Sequence, residues 1–380
     1  MVSLLEPISL GDVLLPNRIA MSPMTRNRVS QGVVSQWTPE YYRQRATAGL
    51  IVSEASQVSP EGQGYDNTPG IYASDHVKRW KQVTEAVHAA GGRIFLQLWH
   101  VGRVSHVFLQ PRNQPPLAPS AIVAKTKVMA GGEFRGTSMP RALTTEEILH
   151  IVGQFRRGAA NAIAAGFDGV EIHGSNGYLL DQFLKKGSNV RNDRYGGSIE
   201  NRVRFPIEVA QAVAEEIGRS RIGFRMGPVT PANDVSDPDP QPLFEHLAER
   251  LGEIGIAYIH VVEGAGGITR RNMQFDYGRL RKLFRGIYIA NNCYTPADAK
   301  LAVATGAADM VSFGRPFIAN PDLVARITRD VPLNAADPST FYGGNSQGYT
   351  DYPTVSSGLD PANSDARATR VEGNQGNTAK

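Results

Sequence analysis

Polar residues of catalytic type stand in short clusters where apolar runs end. The densest is Glu171-Ile172-His173-Gly174-Ser175-Asn176-Gly177-Tyr178. It combines two uncharged hydrogen-bond donors with a phenol, types that can polarise an oxygen and deliver a proton. A histidine alone is more often a satisfied core residue, so the weight lies in the company it keeps. Arg225 ends the run Ile222-Gly223-Phe224, and alternation turns it away from Ile222 and Phe224, toward an interior. A buried arginine needs an anionic or strongly accepting partner. Glu171 could be that partner, which would make the pair structural; a ligand is the other possibility. Gly314-Arg315 follows the apolar run Asp309–Phe313. A glycine allows close backbone approach and an arginine a bidentate contact, an arrangement suited to phosphate.

Elements that could position these clusters alternate along the chain. Candidate strands are Arg18–Met21, Leu50–Ser53, Arg93–Leu98, Asp168–Ile172, Arg221–Met226, Ala257–Val262, Gly286–Ala290 and Asp309–Phe313. Helical patterns lie between them at Pro39–Ala48, His76–Ala90, Thr145–Ala165, Asn201–Ile217, Pro242–Ile254, Tyr277–Phe284 and Pro296–Thr305. About eight strands in such alternation close a parallel (β/α)8 TIM barrel, whose chemistry collects at the strands' C-terminal ends. Each cluster sits at such an end. Pro7–Leu10, Gly11-Asp12 and Val13–Leu15 read as an N-terminal hairpin. Thr144-Thr145-Glu146-Glu147 starts a helix, Gly166 and Gly306 stop two, and Asn320-Pro321-Asp322 caps another. The Pro/Gly-rich segment Gly102–Arg141 is too long for a plain connection and is expected to cap the site after strand three. The barrel domain is expected over 1–355, with a disordered tail over 356–380, where little could be buried.

Composition narrows the function. The chain has 380 residues and a formal charge of +4, with no Lys/Arg run of the kind that neutralises nucleic-acid phosphates. Its one cysteine, Cys293, excludes an internal disulfide, a thiolate zinc site and a cysteine-held iron–sulfur cluster, and no metal constellation accompanies His100 or His106. The N-terminus lacks signal-peptide regions and no apolar run reaches the roughly 20 residues of a membrane span. A cytoplasmic enzyme is expected, without nucleic-acid or membrane partner, as a monomer or homodimer.

Six stretches, taken in order, resemble one family. They are Asn17-Arg18 with Pro23-Met24-Thr25; Gln97-Leu98-Trp99-His100-Val101-Gly102-Arg103; His173 through Leu179; Arg194 through Arg202; Phe313 through Asp322; and Phe341-Tyr342-Gly343-Gly344. Together they resemble the old yellow enzymes from about Leu5 to Pro353, most of all the bacterial N-ethylmaleimide and glycerol trinitrate reductases. The resemblance implies an FMN-dependent ene-reductase that takes electrons from NADH or NADPH. Its substrates would be small electrophilic alkenes, carbonyl- or nitro-activated, with nitrate esters also possible. Pro23, Met24, Thr25 and Ala55 would then border the flavin, and Gln97 would read its pyrimidine ring. Arg225 would lie at the N1–O2 edge, beside His173. Asn292, Cys293, Gly314 and Arg315 would cradle the phosphate. His173 and Asn176 would hold the substrate oxygen, Tyr178 would give the proton, and Trp99, Tyr65 and Tyr342 would line the pocket. The chemistry is coherent: a cation at N1–O2 favours reduced flavin, and a phenol of pKa about 10 keeps its proton at neutral pH.

Two departures stand out. Asn292 and Cys293 occupy a loop where the family often has glycine, and Gly227-Pro228 stands where Ser or Thr usually precedes proline. Rival readings are weaker. Gly264-Ala265-Gly266-Gly267 lacks dinucleotide-turn spacing, and Gly174–Gly177 is no nucleophile elbow. A barrel aldolase would want a lysine at a strand end, and there is none. A flavin store or sensor would have no use for the His173/Asn176/Tyr178 set.

Overall fold

The computed structural model describes residues 2–267, 269–270 and 274–355. All eight expected strands form, each shifted by one or two residues: β1 (Ile19–Met21), β2 (Leu50–Val52), β3 (Ile94–Trp99), β4 (Gly169–Gly174), β5 (Ile222–Met226), β6 (Tyr258–Val262), β7 (Ile287–Asn291) and β8 (Met310–Phe313). They pair in parallel in chain order, β8 returning to β1 through Val311↔Ile19, so the sheet closes on itself. Helices follow the strands in turn: α1 (Thr38–Arg43), α2 (Ser74–Ala89), α3 (Thr145–Ala164), α4 (Ile199–Ile217), α5 (Pro240–Ile254), α6 (Tyr277–Leu283), α7 (Pro296–Ala304) and α8 (Leu323–Arg329). This is the (β/α)8 barrel, with parallel strands and short crossovers. The tail expected over 356–380 lies outside the described residues.

Alternation along the strands sorts the side chains. Leu96 and Leu98 of β3 join Ile222 and Phe224 of β5 in the layer beneath the helices. On the other face, Leu50, Phe95, Tyr258, Ile289 and Met310 fill the lower interior. Room for Tyr258 comes from Gly223, where a Cβ would stand 1.9 Å from the phenol ring. The N-terminal hairpin (Ile8–Leu10 with Val13–Leu15) plugs the bottom, burying Leu10 and Leu15 against that same interior. Its Gly11 turn has φ +54°, and a Cβ there would meet the Ser220 carbonyl at 2.2 Å.

Helix ends follow local chemistry with two exceptions. Thr144 and Glu147 form the reciprocal capping box that starts α3, and Gly166 and Gly306 take positive φ after α3 and α7. Helix α1, however, stops at Arg43 rather than running to Ala48. The Arg45 guanidinium occupies the Tyr41 carbonyl at 2.7 Å, and the Arg45 amide bonds Tyr42 instead, which tightens the turn. Asn320 does not cap α8: its amide bonds the Pro316 carbonyl and its oxygen accepts from Asn334 N–H.

The segment after β3 is more ordered than its composition implies. Lys127–Ala130 and Glu133–Gly136 form an antiparallel hairpin around Gly131-Gly132, both at positive φ. Val128 and Ala130 of this hairpin pack with Ala55, Trp99, Val101 and Val104, so it lies over the mouth beside β2 and β3.

Candidate active site

Above its apolar base the barrel interior turns polar, through residues of β3 to β8. Gln97 Nε2 donates to Glu171 Oε1 at 2.7 Å, and Tyr258 donates to Glu171 Oε2 at 3.1 Å. His260 Nδ1 lies 2.8 Å from the same Oε2, and its Nε2 lies 2.6 Å from Ser312 Oγ. Ser22 and Asn291 continue the chain to Arg225, whose Nη2 donates to Asn291 Oδ1 at 2.9 Å. Burial pushes the Glu171 carboxyl up, but His260, Arg225 and Gln97 together hold it below its ordinary value. Burial drives His260 down, against the pull of Glu171, so the imidazole is neutral. An ionised carboxylate only accepts, so His260 carries its proton on Nδ1 and takes one from Ser312 on Nε2.

Arg225 and Glu171 therefore do not pair directly, because His260 stands between them. Arg225 Nη1 lies 3.4 Å from His260 Nδ1. Its Nε is buried and has no partner among the described residues. A fixed, incompletely satisfied cation at the barrel top is suited to an electron-rich ring edge. Gln97 has its amide nitrogen committed to Glu171, which leaves its carbonyl oxygen for a ligand donor.

β4 runs to Gly174, so His173 belongs to the strand rather than to the turn beyond it. Its register partner is Arg225, and both face the interior. Burial, then the Arg225 charge, lowers the His173 pKa to about 3, and the ring is neutral. Asn176 lies in the turn with φ +59°, and its carbonyl accepts from Asn233 Nδ2 at 2.8 Å. Tyr178 caps the short helix Leu179–Leu184. Its ring meets Trp99 edge-on at 5.0 Å and His173 at 5.1 Å between centroids. Tyr65 stacks on Trp99 at 5.9 Å, and its hydroxyl lies 3.2 Å from that of Tyr178. Burial, then Tyr65, raises the Tyr178 pKa well above its ordinary value. The structure thus gathers Trp99, His173, Tyr178 and Tyr65 into one aromatic cluster under the hairpin. Trp99 Nε1 is buried without a partner among the described residues.

The remaining expected residues stand in the loops after β1, β2, β7 and β8 and in the segment carrying Tyr342. Ala55 joins Trp99 at the end of β2. Pro23, Met24 and Thr25 are half-buried after β1, and Gly314 approaches Met24, whose Sδ would stand 3.5 Å from an added Cβ. Arg26, just after Thr25, donates to the carbonyls of Phe341, Thr340 and Gly348. This holds the segment carrying Tyr342 at the rim, although Tyr342 itself is 68% exposed. Asn292 and Cys293 have φ +97° and +52°, the region that favours glycine. Asn292 is held there by its side chain. Its oxygen accepts from Gly267 N–H and its nitrogen donates to the Glu263 carbonyl, both at 2.6 Å. The loops after β6 and β7 are thereby joined. Arg315 opens the short helix Arg315–Ala319 near Gly267.

Sequence reasoning missed Tyr258, His260, Ser312, Ser22 and Asn233, and it gave Asn291, seen only as a polar strand end, no role. A signal existed for the first two: polar residues at alternate positions of an apolar strand. For Asn233, which lies at φ +56° in a turn after β5, no such signal exists.

The comparisons agree with this geometry. Residues 3–334 match the model of the NADH:flavin oxidoreductase / NADH oxidase family. The chain is 44% identical over 357 residues to 12-oxophytodienoate reductase 1 of Oryza sativa subsp. japonica, covering 93% of each protein. It is 43% identical over 364 residues to 12-oxophytodienoate reductase 2 of Arabidopsis thaliana, covering 94% of this chain and 96% of that one. Among solved structures, morphinone reductase in complex with tetrahydroNAD superposes with a TM-score of 0.89 at 46% identity, over 95% of this chain and 99% of that one. An old yellow enzyme homologue from Zymomonas mobilis gives 0.90 at 39% identity, over 93% and 99%. No described helix is long and apolar enough to cross a membrane. The chain therefore belongs to the NADH:flavin oxidoreductase / NADH oxidase family, the old yellow enzymes, and its cofactor is FMN.

Proposed function

We infer that the protein is an NAD(P)H-dependent ene-reductase acting on small alkenes activated by a carbonyl or nitro group. Nitrate esters offer the same oxygen to the same donors. When bound, FMN supplies the hydride, having received it from the nicotinamide. The chain's own residues do the rest. Arg225 and Gln97 would hold the pyrimidine edge, with Thr25 and Ala55 beside the ring. Asn292, Cys293, Gly314 and Arg315 would hold the phosphate, the first three largely through backbone N–H groups. Trp99 and Tyr65 form an apolar wall that excludes water.

His173 and Asn176 donate to the substrate's activating oxygen, which draws electrons from the double bond and leaves the β-carbon ready for hydride. A neutral His173 suits this role, since a donor that keeps its proton stabilises the developing negative charge without quenching it. Tyr178 then places its proton on the α-carbon. Hydride and proton together saturate the bond, and the phenol is later reprotonated from solvent. The observation that carries this reading is the meeting of a neutral imidazole and a protonated phenol, 5.1 Å apart between ring centroids. Nicotinamide as reductant is supported by the tetrahydroNAD bound to morphinone reductase, a close structural neighbour.

The test uses the yellow holoenzyme under anaerobic conditions. NADH or NADPH should bleach it, and 2-cyclohexenone should restore the colour with formation of cyclohexanone. A bleached enzyme that neither enone nor nitroalkene reoxidises would overturn the reading.

A further inference from the structure

Ser175 lies between His173 and Asn176, is fully buried, and has one hydrogen-bond partner for its hydroxyl among the described residues: His173 Nδ1, at 3.3 Å. A serine hydroxyl can donate or accept, and a neutral imidazole has one nitrogen of each kind. Two arrangements are therefore open. If Nδ1 carried the proton and Ser175 accepted it, the serine's own proton would be buried with nowhere to go. An unsatisfied buried donor is disfavoured. If Ser175 donates to Nδ1, its proton is satisfied and the imidazole proton must reside on Nε2. Burial and the neighbouring Arg225 keep the ring neutral, so no third state intervenes. Nε2 is not among the buried atoms left without a partner.

We propose that Ser175 is a positioning residue that fixes His173 as the Nε2–H tautomer and so presents a donor, not an acceptor, to the substrate oxygen. Ser175 touches no reacting atom. Its own place is set by the backbone, its carbonyl accepting from Tyr178 N–H at 3.3 Å. One turn thus orients both the polarising donor and the phenol. This inference rests on the ene-reductase reading for its purpose, but the tautomer can be measured without any turnover.

The experiment is long-range ¹H–¹⁵N NMR on FMN-loaded protein labelled at histidine nitrogen, with His173 assigned by its loss in His173→Ala. The parent should show a protonated Nε2 and an unprotonated Nδ1 at His173. In Ser175→Ala the two nitrogens should move toward averaged shifts, and affinity for a para-substituted phenol should fall roughly 3- to 10-fold, the scale of one hydrogen bond. Ser175→Cys, which keeps a weak donor, should lie between. FMN affinity should be the same in all three. A parent spectrum with the proton on Nδ1 would overturn the proposal, even if the alanine variant failed to fold. So would an alanine variant with the parent's tautomer and phenol affinity. Failure of enone turnover with an Nε2–H spectrum would instead count against the ene-reductase reading alone.

Discussion

The phenol oxygens of Tyr65 and Tyr178 lie 3.2 Å apart, although 113 residues separate the two in the chain. Burial raises the pKa of both, and their proximity adds to the rise at Tyr178. Burial first, and then this contact, keep Tyr178 protonated. Tyr65 is thus its hydrogen-bond neighbour as well as a ring stacked on Trp99.

Tyr178→Phe should separate the two half-reactions. The change keeps the ring that packs on Trp99 and His173, so FMN should stay bound. Bleaching by nicotinamide needs no proton from this side chain and should proceed at the parent rate. Reoxidation by cyclohexenone should slow by roughly 100-fold or more, the scale of a positioned acid. Stopped-flow traces at saturating enone check this, and parental reoxidation would remove Tyr178 from the mechanism.

Arg225→Ala should loosen FMN and make it harder to reduce. The guanidinium bonds Asn291 and leaves its Nε for a ligand, so its loss strips a cation from the ring edge. Flavin affinity should fall by roughly 10- to 100-fold, as for a hydrogen bond to a charged group, and the midpoint potential should move negative. Arg225→Lys should recover part of the potential. Fluorescence titration of apoprotein and spectroelectrochemistry provide the readouts; an unchanged potential in the alanine variant would make Arg225 purely structural.

Asn292 separates backbone from side-chain effects in the loop after β7. Asn292→Ala leaves φ +97° to a residue that resists it and removes both 2.6 Å bonds to the loop after β6. Apoprotein should bind FMN about 10-fold more weakly. Asn292→Gly relieves the strain but still lacks the bridge, so it should recover only part of the loss. Full recovery with glycine would show that the cross-loop bonds contribute nothing.

Glu54 should make stability fall as pH rises. Burial raises its carboxyl from 4.5 to about 7, against the pull of Arg26 N–H and the Arg26 and Arg28 charges. Between these values the folded protein holds a proton that the unfolded chain has released, so stability is full below about pH 4.5 and is lost as pH rises through 7. The difference corresponds to about 3 kcal/mol. Glu54→Gln should match the parent near pH 4.5 and melt higher at pH 8. Equal melting curves at pH 8 would show that the carboxyl is not held neutral.

Much of this architecture is written in local pattern. Eight apolar runs separated by helical periodicity determine the barrel, because burial of one strand face and one helix stripe admits few other closures. The Thr144–Glu147 capping box and the glycines after α3 and α7 are equally local, and so is the inward turn of Gln97, Trp99 and Arg225. The family motifs single out His173, Asn176 and Tyr178 from the sequence alone. The hairpin of the capping segment had its own signal in Gly131-Gly132, which the surrounding proline and glycine content masked.

What local pattern could not decide is which partner each buried polar group takes. Glu171 was open to Arg225 by charge, yet it bonds His260, 89 residues away, while Arg225 turns to Asn291, 66 residues away. Asn292 takes a conformation suited to glycine because a loop 25 residues earlier supplies Gly267. Such choices depend on the distances between strands once the sheet has closed, and a hydrogen bond tolerates only a few tenths of an ångström. The inward face of each strand follows from alternation within it, whereas the pairing across the barrel exists only when all eight strands stand together.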